Sequence, residues 1–305
     1  MIESESKSDI KKLFNWYVIV LSTITLIGIV FYLALGLLTE DREIFYKQAI
    51  LNSIYGEKFY IFIVVGFFAQ MIDSSLGMAY GTSTSTFLAA TGVHPKLASA
   101  AVHISEIFNN AVSAFSHFKM GNIDRKLFFT LLIPGMIGGS LGAYLLTNLD
   151  SSKVKPIVAT YLLLMGVYII TKAIKGNIKI KEGKMKGTEL LALVGAFVNS
   201  LGGGGWGPIV TTSLIGSGKH PRKVIGSVNS AKYLIILTAS IVFILNISNL
   251  FDVFANIAGL IIGGVFAAPL GAFITKRIPV KPAMILVGSV IIILSTYTLY
   301  KALFF

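Results

Sequence analysis

Asn199-Ser200-Leu201-Gly202-Gly203-Gly204-Gly205-Trp206-Gly207-Pro208 interrupts an apolar run that extends from Thr188 to Ser217. A second interruption, Asp73-Ser74-Ser75-Leu76-Gly77-Met78-Ala79-Tyr80-Gly81, divides the apolar stretch Phe59–Thr91 in the same way. The pieces on either side of each break have roughly 10–15 residues, whereas a hydrocarbon core of about 30 Å needs about 20. Lipid tolerates broken helical backbone only where protein or a cavity surrounds the break. Both segments therefore read as re-entrant hairpins made of two half-helices.

The rest of the chain supplies the membrane context. Of its 305 residues 54% are hydrophobic and 13% charged, with a mean hydropathy of +0.78. A soluble domain carries about 25% charged residues, so a soluble enzyme or nucleic-acid binder is excluded at the outset. Cysteine is absent, which removes disulfides, thiolate nucleophiles and cysteine metal sites together. Uninterrupted apolar runs at Trp16–Leu38, Leu97–Phe118, Leu127–Leu149, Pro156–Thr171, Lys223–Leu245, Val253–Thr275 and Pro282–Leu303 are read as seven crossings. The first reads as an uncleaved signal anchor, because no small-residue cleavage site follows it.

Positive charge tests the arrangement. If both broken segments leave by the face they enter, 18 of the 26 Lys and Arg collect on the side of the N-terminus and seven on the other, with Lys232 inside a span. If all nine segments cross, the bias vanishes. The positive-inside rule selects the first arrangement, with the N-terminus cytoplasmic and the C-terminus extracytoplasmic. The net charge of +12 is then a topology signal, and no nucleic-acid partner is expected.

An offset of 126 residues aligns the two halves without a gap. Ser74 meets Ser200, Gly77 meets Gly203, Gly81 meets Gly207, His94-Pro95 meets His220-Pro221, and Pro156 meets Pro282. Each half contains one hairpin and three crossings. Three is odd, so the second copy enters the membrane from the opposite face. The expected fold is an all-α polytopic membrane protein of inverted-topology repeats, each a re-entrant broken-helix hairpin plus three transmembrane helices, with one extra N-terminal transmembrane helix. Residues 1–58 form the tail, anchor and extracytoplasmic loop, 59–175 the first repeat, 176–187 a basic cytoplasmic linker and 188–305 the second repeat, in one integral membrane domain.

Candidate site residues follow from the breaks. A helix N-terminus carries unpaired N–H groups and about half a positive charge. Half-helices starting near Pro208 and Gly81 would thus face an anion at the midplane. The glycine run Gly202–Gly205 permits close approach of a ligand, or simply close packing of helices. The substrate-binding candidates are Ser74, Ser75, Gly77, Tyr80, Thr82, Asn199, Ser200, Gly203, Gly204, Gly205, Trp206 and Lys232. Tyr80 and Trp206 flank the tips, either as gates or as packing residues.

Ionisable residues inside a bilayer are costly and mark functional positions. Here they are Asp73, His103, Glu106 and Lys232, with His117 near a helix end. Ser99, His103, Glu106 and Asn110 share one helix face. Two readings of Lys232 stay open: it balances an anionic substrate while Glu106 and His103 carry a coupling proton, or it forms a buried structural pair with Glu106. Asp73 reads as a backbone cap at its hairpin tip. No metal site and no cofactor is expected.

The segments Gly66-Phe67-Phe68-Ala69-Gln70-Met71-Ile72-Asp73-Ser74 and Gly195-Ala196-Phe197-Val198-Asn199-Ser200-Leu201-Gly202-Gly203-Gly204-Gly205 resemble the paired signatures of the TauE/SafE sulfite exporter family. The Gly-x-His-Pro segments and Gly121-Asn122-Ile123-Asp124 fit as well, and the likeness covers about residues 59–303. It implies transport of sulfite, sulfonates or related organosulfur anions across the cytoplasmic membrane. The family's first repeat often carries its own glycine run. Here Ser75-Leu76-Gly77-Met78-Ala79-Tyr80-Gly81 stands in that place, which implies a pocket of different size.

The expectation is therefore a secondary transporter of a small anion in a prokaryotic inner membrane, working by alternating access. Its partners are the anion, the bilayer and a coupling proton or ion, and the sequence leaves its oligomeric state open. An anion channel built on paired half-helices is the first alternative and a membrane-embedded enzyme the second. No P-loop, HExxH or Gly-x-Ser-x-Gly motif occurs, so neither ATP drive nor a familiar hydrolase is encoded.

Overall fold

The computed structural model describes residues 57–149, 151–175, 187–217, 219–247, 250–274 and 280–304. The expected anchor Trp16–Leu38 and residues 176–186 of the basic linker lie outside them. Every regular element among the described residues is helical. In chain order these are α1 (Glu57–Leu76), α2 (Tyr80–Ala90), α3 (Pro95–Lys119), α4 (Arg125–Asn148), α5 (Ser151–Lys175) and α6 (Thr188–Gly202). A π-helical turn, Gly207–Thr211, leads into α7 (Thr212–Gly216). Then follow α8 (Pro221–Asn246), a 3-10 turn at Leu250–Val253, α9 (Phe254–Ile274) and α10 (Val280–Phe304).

Local sequence explains the boundaries. His94 and His220 are extended, with ψ of 138° and 117°, and each precedes a proline at the first helical position of α3 or α8. The His94 ring accepts from the Lys96 N–H. The Asp124 carboxylate accepts from the N–H groups of Lys126 and Leu127 at 2.9 and 3.1 Å, which starts α4. Gly92 and Gly121 take φ of 90° and 64° in the turns after α2 and α3, a region open to glycine.

Five of the helices are long and apolar enough to cross a membrane: Phe59–Leu76, Arg125–Asn148, Pro156–Lys175, Pro221–Asn246 and Phe254–Ile274. Their outer faces suit only hydrocarbon. On α4 the exposed side chains Phe129, Ile133, Ile137 and Leu141 recur every fourth residue, while Gly135, Gly138, Gly139 and Gly142 turn inward. The described chain is an all-helical polytopic membrane protein.

Two expectations change. α1 has 20 residues and not the half-span anticipated. Its C-terminal 15, Phe62–Leu76, match α6 at the 126-residue offset, and the surplus lies before them at Glu57–Ile61. Charged Glu57 and Lys58 head this extra turn, beyond the apolar run that decided the sequence reading. Conversely, α3 was expected to be an ordinary crossing, yet it is not among the five apolar helices. Ser99, His103, Ser105, Glu106, Asn109, Asn110, Ser113, Ser116 and His117 on α3 are all buried, so this helix is the polar spine of the bundle.

Helices pack closely where glycines allow backbone contact. A Cβ at Gly138 or Gly142 of α4 would overlap the carbonyl of Leu193 or Phe197 on α6. A Cβ at Gly263 of α9 would overlap the Ile63 carbonyl of α1, and one at Gly66 would come within 2.8 Å of the Leu260 Cα. The pair α4–α6 and the pair α1–α9 correspond at the same offset. α3 also packs against α8, and α5 against α10, each helix meeting its own counterpart.

Candidate functional site

Both broken segments form tips. α1 ends at Leu76, Gly77 takes φ 70°, and α2 begins at Tyr80, whose N–H donates to Asp73 Oδ1 at 3.4 Å. α6 ends at Gly202, Gly203 takes φ 70°, and the Trp206 N–H donates to Asn199 Oδ1 at 3.1 Å. The expected cap role of Asp73 thus has a counterpart in Asn199, 126 residues on. Ala79 holds φ 91°, the one non-glycine residue with positive φ among those described.

The two tips touch each other directly. A Cβ at Gly81 would overlap the Gly203 carbonyl, and one at Gly207 would overlap Met78 Cα. One at Gly204 would overlap the Thr82 amide nitrogen. Thr211 Oγ1 donates to the Gly77 carbonyl at 2.7 Å, while Ser85 Oγ lies against Gly203. At the offset Gly81 corresponds to Gly207, Met78 to Gly204, Gly77 to Gly203 and Ser85 to Thr211, so the contacts Gly81–Gly203, Gly207–Met78 and Thr211–Gly77 recur as Gly207–Gly77, Gly81–Gly204 and Ser85–Gly203.

In this conformation the space in front of the glycine run holds protein. Tyr161 of α5 packs its ring on Gly202 and donates its hydroxyl to the Gly204 carbonyl. Gly205 also lies against this hydroxyl. The tip hydroxyls are engaged locally: Ser75 donates to the Ile72 carbonyl, Thr82 to that of Ala79, and Ser74 to Ser113 Oγ at 3.1 Å. Tyr80 and Trp206 are fully buried in separate hydrophobic clusters. The Tyr80 hydroxyl pairs with Ser105 Oγ and accepts from Asn109 Nδ2, both at 2.9 Å. Trp206 Nε1 donates to the Val228 carbonyl at 3.4 Å.

Beside the tips lies an ion cluster. Lys232 of α8 places Nζ 2.5 Å from Glu106 Oε1 of α3 and 3.4 Å from both carboxylate oxygens of Asp73. All three side chains are buried. The pair considered from sequence is therefore a triad, with two carboxylates for one ammonium. Burying ions from water costs several kcal/mol each unless they are paired, so the Lys232 ammonium and the carboxylates depend on one another here.

The histidines do not join it by hydrogen bonds. His103 Nδ1 donates to the Ser99 carbonyl at 2.8 Å, and Nε2 accepts from Asn199 Nδ2 at 3.3 Å. Ser200 Oγ stands 3.4 Å from that same Nε2. His103 therefore clasps the second tip. His117 clasps the first: Nε2 donates to the Ser74 carbonyl at 3.1 Å, and Nδ1 accepts from Asn122 Nδ2 at 3.0 Å. Arg222 in turn donates to Asn122 Oδ1 and to the Met120 carbonyl.

Sequence reasoning missed Gln70, Asn109, Tyr161 and Thr211. Gln70 Nε2 donates to Ser74 Oγ at 2.9 Å. The two amides could have been found as polar side chains inside apolar spans. Tyr161 and Thr211 leave no such trace, because both residue types are common in membrane helices.

Broken helices meeting at a buried ion cluster, inside a sheath of lipid-facing helices, define a membrane transport protein. Residues 62–298 match the sulfite exporter TauE/SafE family, and the chain belongs to that family. It is 36% identical over 253 residues to the probable membrane transporter protein YtnM of Bacillus subtilis (strain 168), covering 80% of this chain and 83% of that protein. It is 25% identical over 255 residues to the probable membrane transporter protein MJ0441 of Methanocaldococcus jannaschii, covering 78% of this chain and 94% of that one. No solved structure matches the chain.

Proposed function

We propose that this membrane transporter is a secondary carrier of a small anion, with sulfite, a sulfonate or a related organosulfur anion as substrate. Its two halves act as inverted repeats that alternate access to a site between the hairpin tips and Lys232. The observation that carries the reading is the paired crossing of the tips beside the Asp73–Lys232–Glu106 triad. Three of the tip contacts have counterparts 126 residues away, which supports a two-fold relation between the halves and fits repeats of opposite orientation.

The anion approaches the first turns of α2 and of the helix starting at Gly207, where N–H donors and positive dipole ends lie. Ser74, Ser75, Thr82 and Ser200 add hydroxyl donors, and Lys232 supplies charge. Opening separates the glycine contacts between the tips and frees the backbone now covered by Tyr161 and Thr82. The substrate class rests on the family. The proposed setting is a cytoplasmic membrane with the N-terminus inside and the C-terminus outside, a reading that the positive-charge bias supports.

The test is a screen of purified protein against sulfite, thiosulfate, sulfoacetate, taurine and sulfate, followed by flux into proteoliposomes. Saturable, gradient-coupled uptake of one sulfur oxyanion or sulfonate is expected. Non-saturating conductance would favour a channel, and flux of none of the five would overturn the reading.

A further inference from the structure

We propose that the triad takes up one proton with each monovalent anion, and that Asp73 is the group that receives it. The inference rests on the anion-carrier reading above and names its coupling ion.

Charge accounting leads to it. With its groups ionised, the triad carries one positive and two negative charges. A monovalent anion arriving at Lys232 would take the net charge of this buried site from minus one to minus two. Such a load is prohibitive at the centre of a bilayer. If a proton arrives with the anion, the site keeps a net charge of minus one whether loaded or empty. The step is Asp73 carboxylate plus proton plus anion, giving the Asp73 carboxylic acid and the anion paired to the Lys232 ammonium. No covalent bond other than the new O–H forms.

Three observations single out Asp73. Its oxygens lie 3.4 Å from Lys232 Nζ, against 2.5 Å for Glu106 Oε1, so Asp73 is the more distant of the two carboxylates. It sits on a hairpin tip, where the proposed anion enters, whereas Glu106 lies within α3. Most tellingly, its capping duty needs no charge. Asn199 performs the same cap on Trp206 with a neutral amide, at a shorter distance. The carboxylate at position 73 is thus surplus to the fold of the tip, and the group it faces is Lys232. Once protonated, Asp73 keeps a carbonyl oxygen for the Tyr80 N–H and gains an O–H to offer the anion.

Other titratable groups nearby are already committed. His103 and His117 of α3 each have both ring nitrogens in hydrogen bonds to the tips or to the turn after α3. The Tyr80 hydroxyl is held by Ser105 and Asn109. Within their apolar sections α4 contributes only the outward-facing Tyr144, and α9 contributes no titratable side chain.

The experiment uses the full-length protein and methanesulfonate, which stays a monoanion across the working range, as the probe of both binding and proton-coupled flux, with sulfite as a second substrate in the flux screen. In wild-type protein the methanesulfonate Kd should rise up to about tenfold per pH unit, and an internal pH dye should report about one proton per anion carried. Asp73→Asn, which copies the neutral cap of Asn199, should fold and bind methanesulfonate with a Kd independent of pH. A pH-independent Kd in the wild type, or an equal slope in Asp73→Asn, would overturn the proposal. So would anion flux with no proton movement, which needs no variant and would leave the carrier reading standing. If neither probe binds or moves, the anion reading itself fails.

Discussion

At residue scale, the count of charges around Lys232 decides what substitutions do. Lys232→Met leaves two carboxylates buried side by side and should cost about 3–5 kcal/mol, as broken buried pairs do. Glu106→Gln leaves a one-to-one pair of Lys232 with Asp73 and should cost at least about 2 kcal/mol less than Lys232→Met. Neutralising Glu106 and Lys232 together does not restore balance, because Asp73 then stands alone. Only the triple change Asp73→Asn, Glu106→Gln, Lys232→Met should recover stability, and thermal melting in detergent checks the series. Ala79 offers a separate test. A left-handed backbone at a residue with a Cβ costs about 1–2 kcal/mol, offset partly by the greater unfolded freedom of glycine. Ala79→Gly should therefore raise stability by up to about 1 kcal/mol in the same assay.

At element scale, the hairpin tips depend on glycines whose neighbours are backbone atoms and cannot yield. Gly81→Ala and Gly207→Ala should each cost about 3 kcal/mol or more, because the added Cβ meets the Gly203 carbonyl or Met78 Cα. Gly204→Val should both destabilise the bundle and abolish anion binding, since its Cβ meets the Thr82 backbone. Gly92 makes the control. Nothing lies within 4 Å of a Cβ there, so Gly92→Ala should cost only its backbone strain at φ 90°, about 1–2 kcal/mol. Melting temperatures of the four variants separate packing from strain. The breaks and the glycines of these tips were legible in the chain. Their use was not, because a glycine next to a ligand and a glycine next to a carbonyl look alike in one dimension.

At the scale of the whole molecule, the faces that the connections occupy define the topology. Re-entrant hairpins require the linker before α6 and the turn before α8 to lie on one side of the membrane. The chain has no native cysteine, so single cysteines at positions 183 and 218 can be labelled in intact cells without background. Equal accessibility to a membrane-impermeant reagent is expected, and opposite accessibility would refute the hairpins. The same test at the two ends of the first broken segment addresses α1, because a 20-residue helix is long enough to cross by itself, about 30 Å.

Composition alone determined that the protein lives in a membrane, because only lipid can solvate so apolar a chain. The 126-residue offset and the two breaks, read from single residues, marked the tips and the ionisable side chains beside them. Tertiary structure decided what those residues meet. Asp73 joins Lys232 and Glu106 across 159 and 33 positions of chain, on three different helices, and no spacing rule reaches that far. It likewise put Tyr161 over the glycine run and turned α3 into the polar spine. The physical reason is that periodicity reports which face of a helix is apolar, whereas the partner of a buried polar face depends on how helices cross.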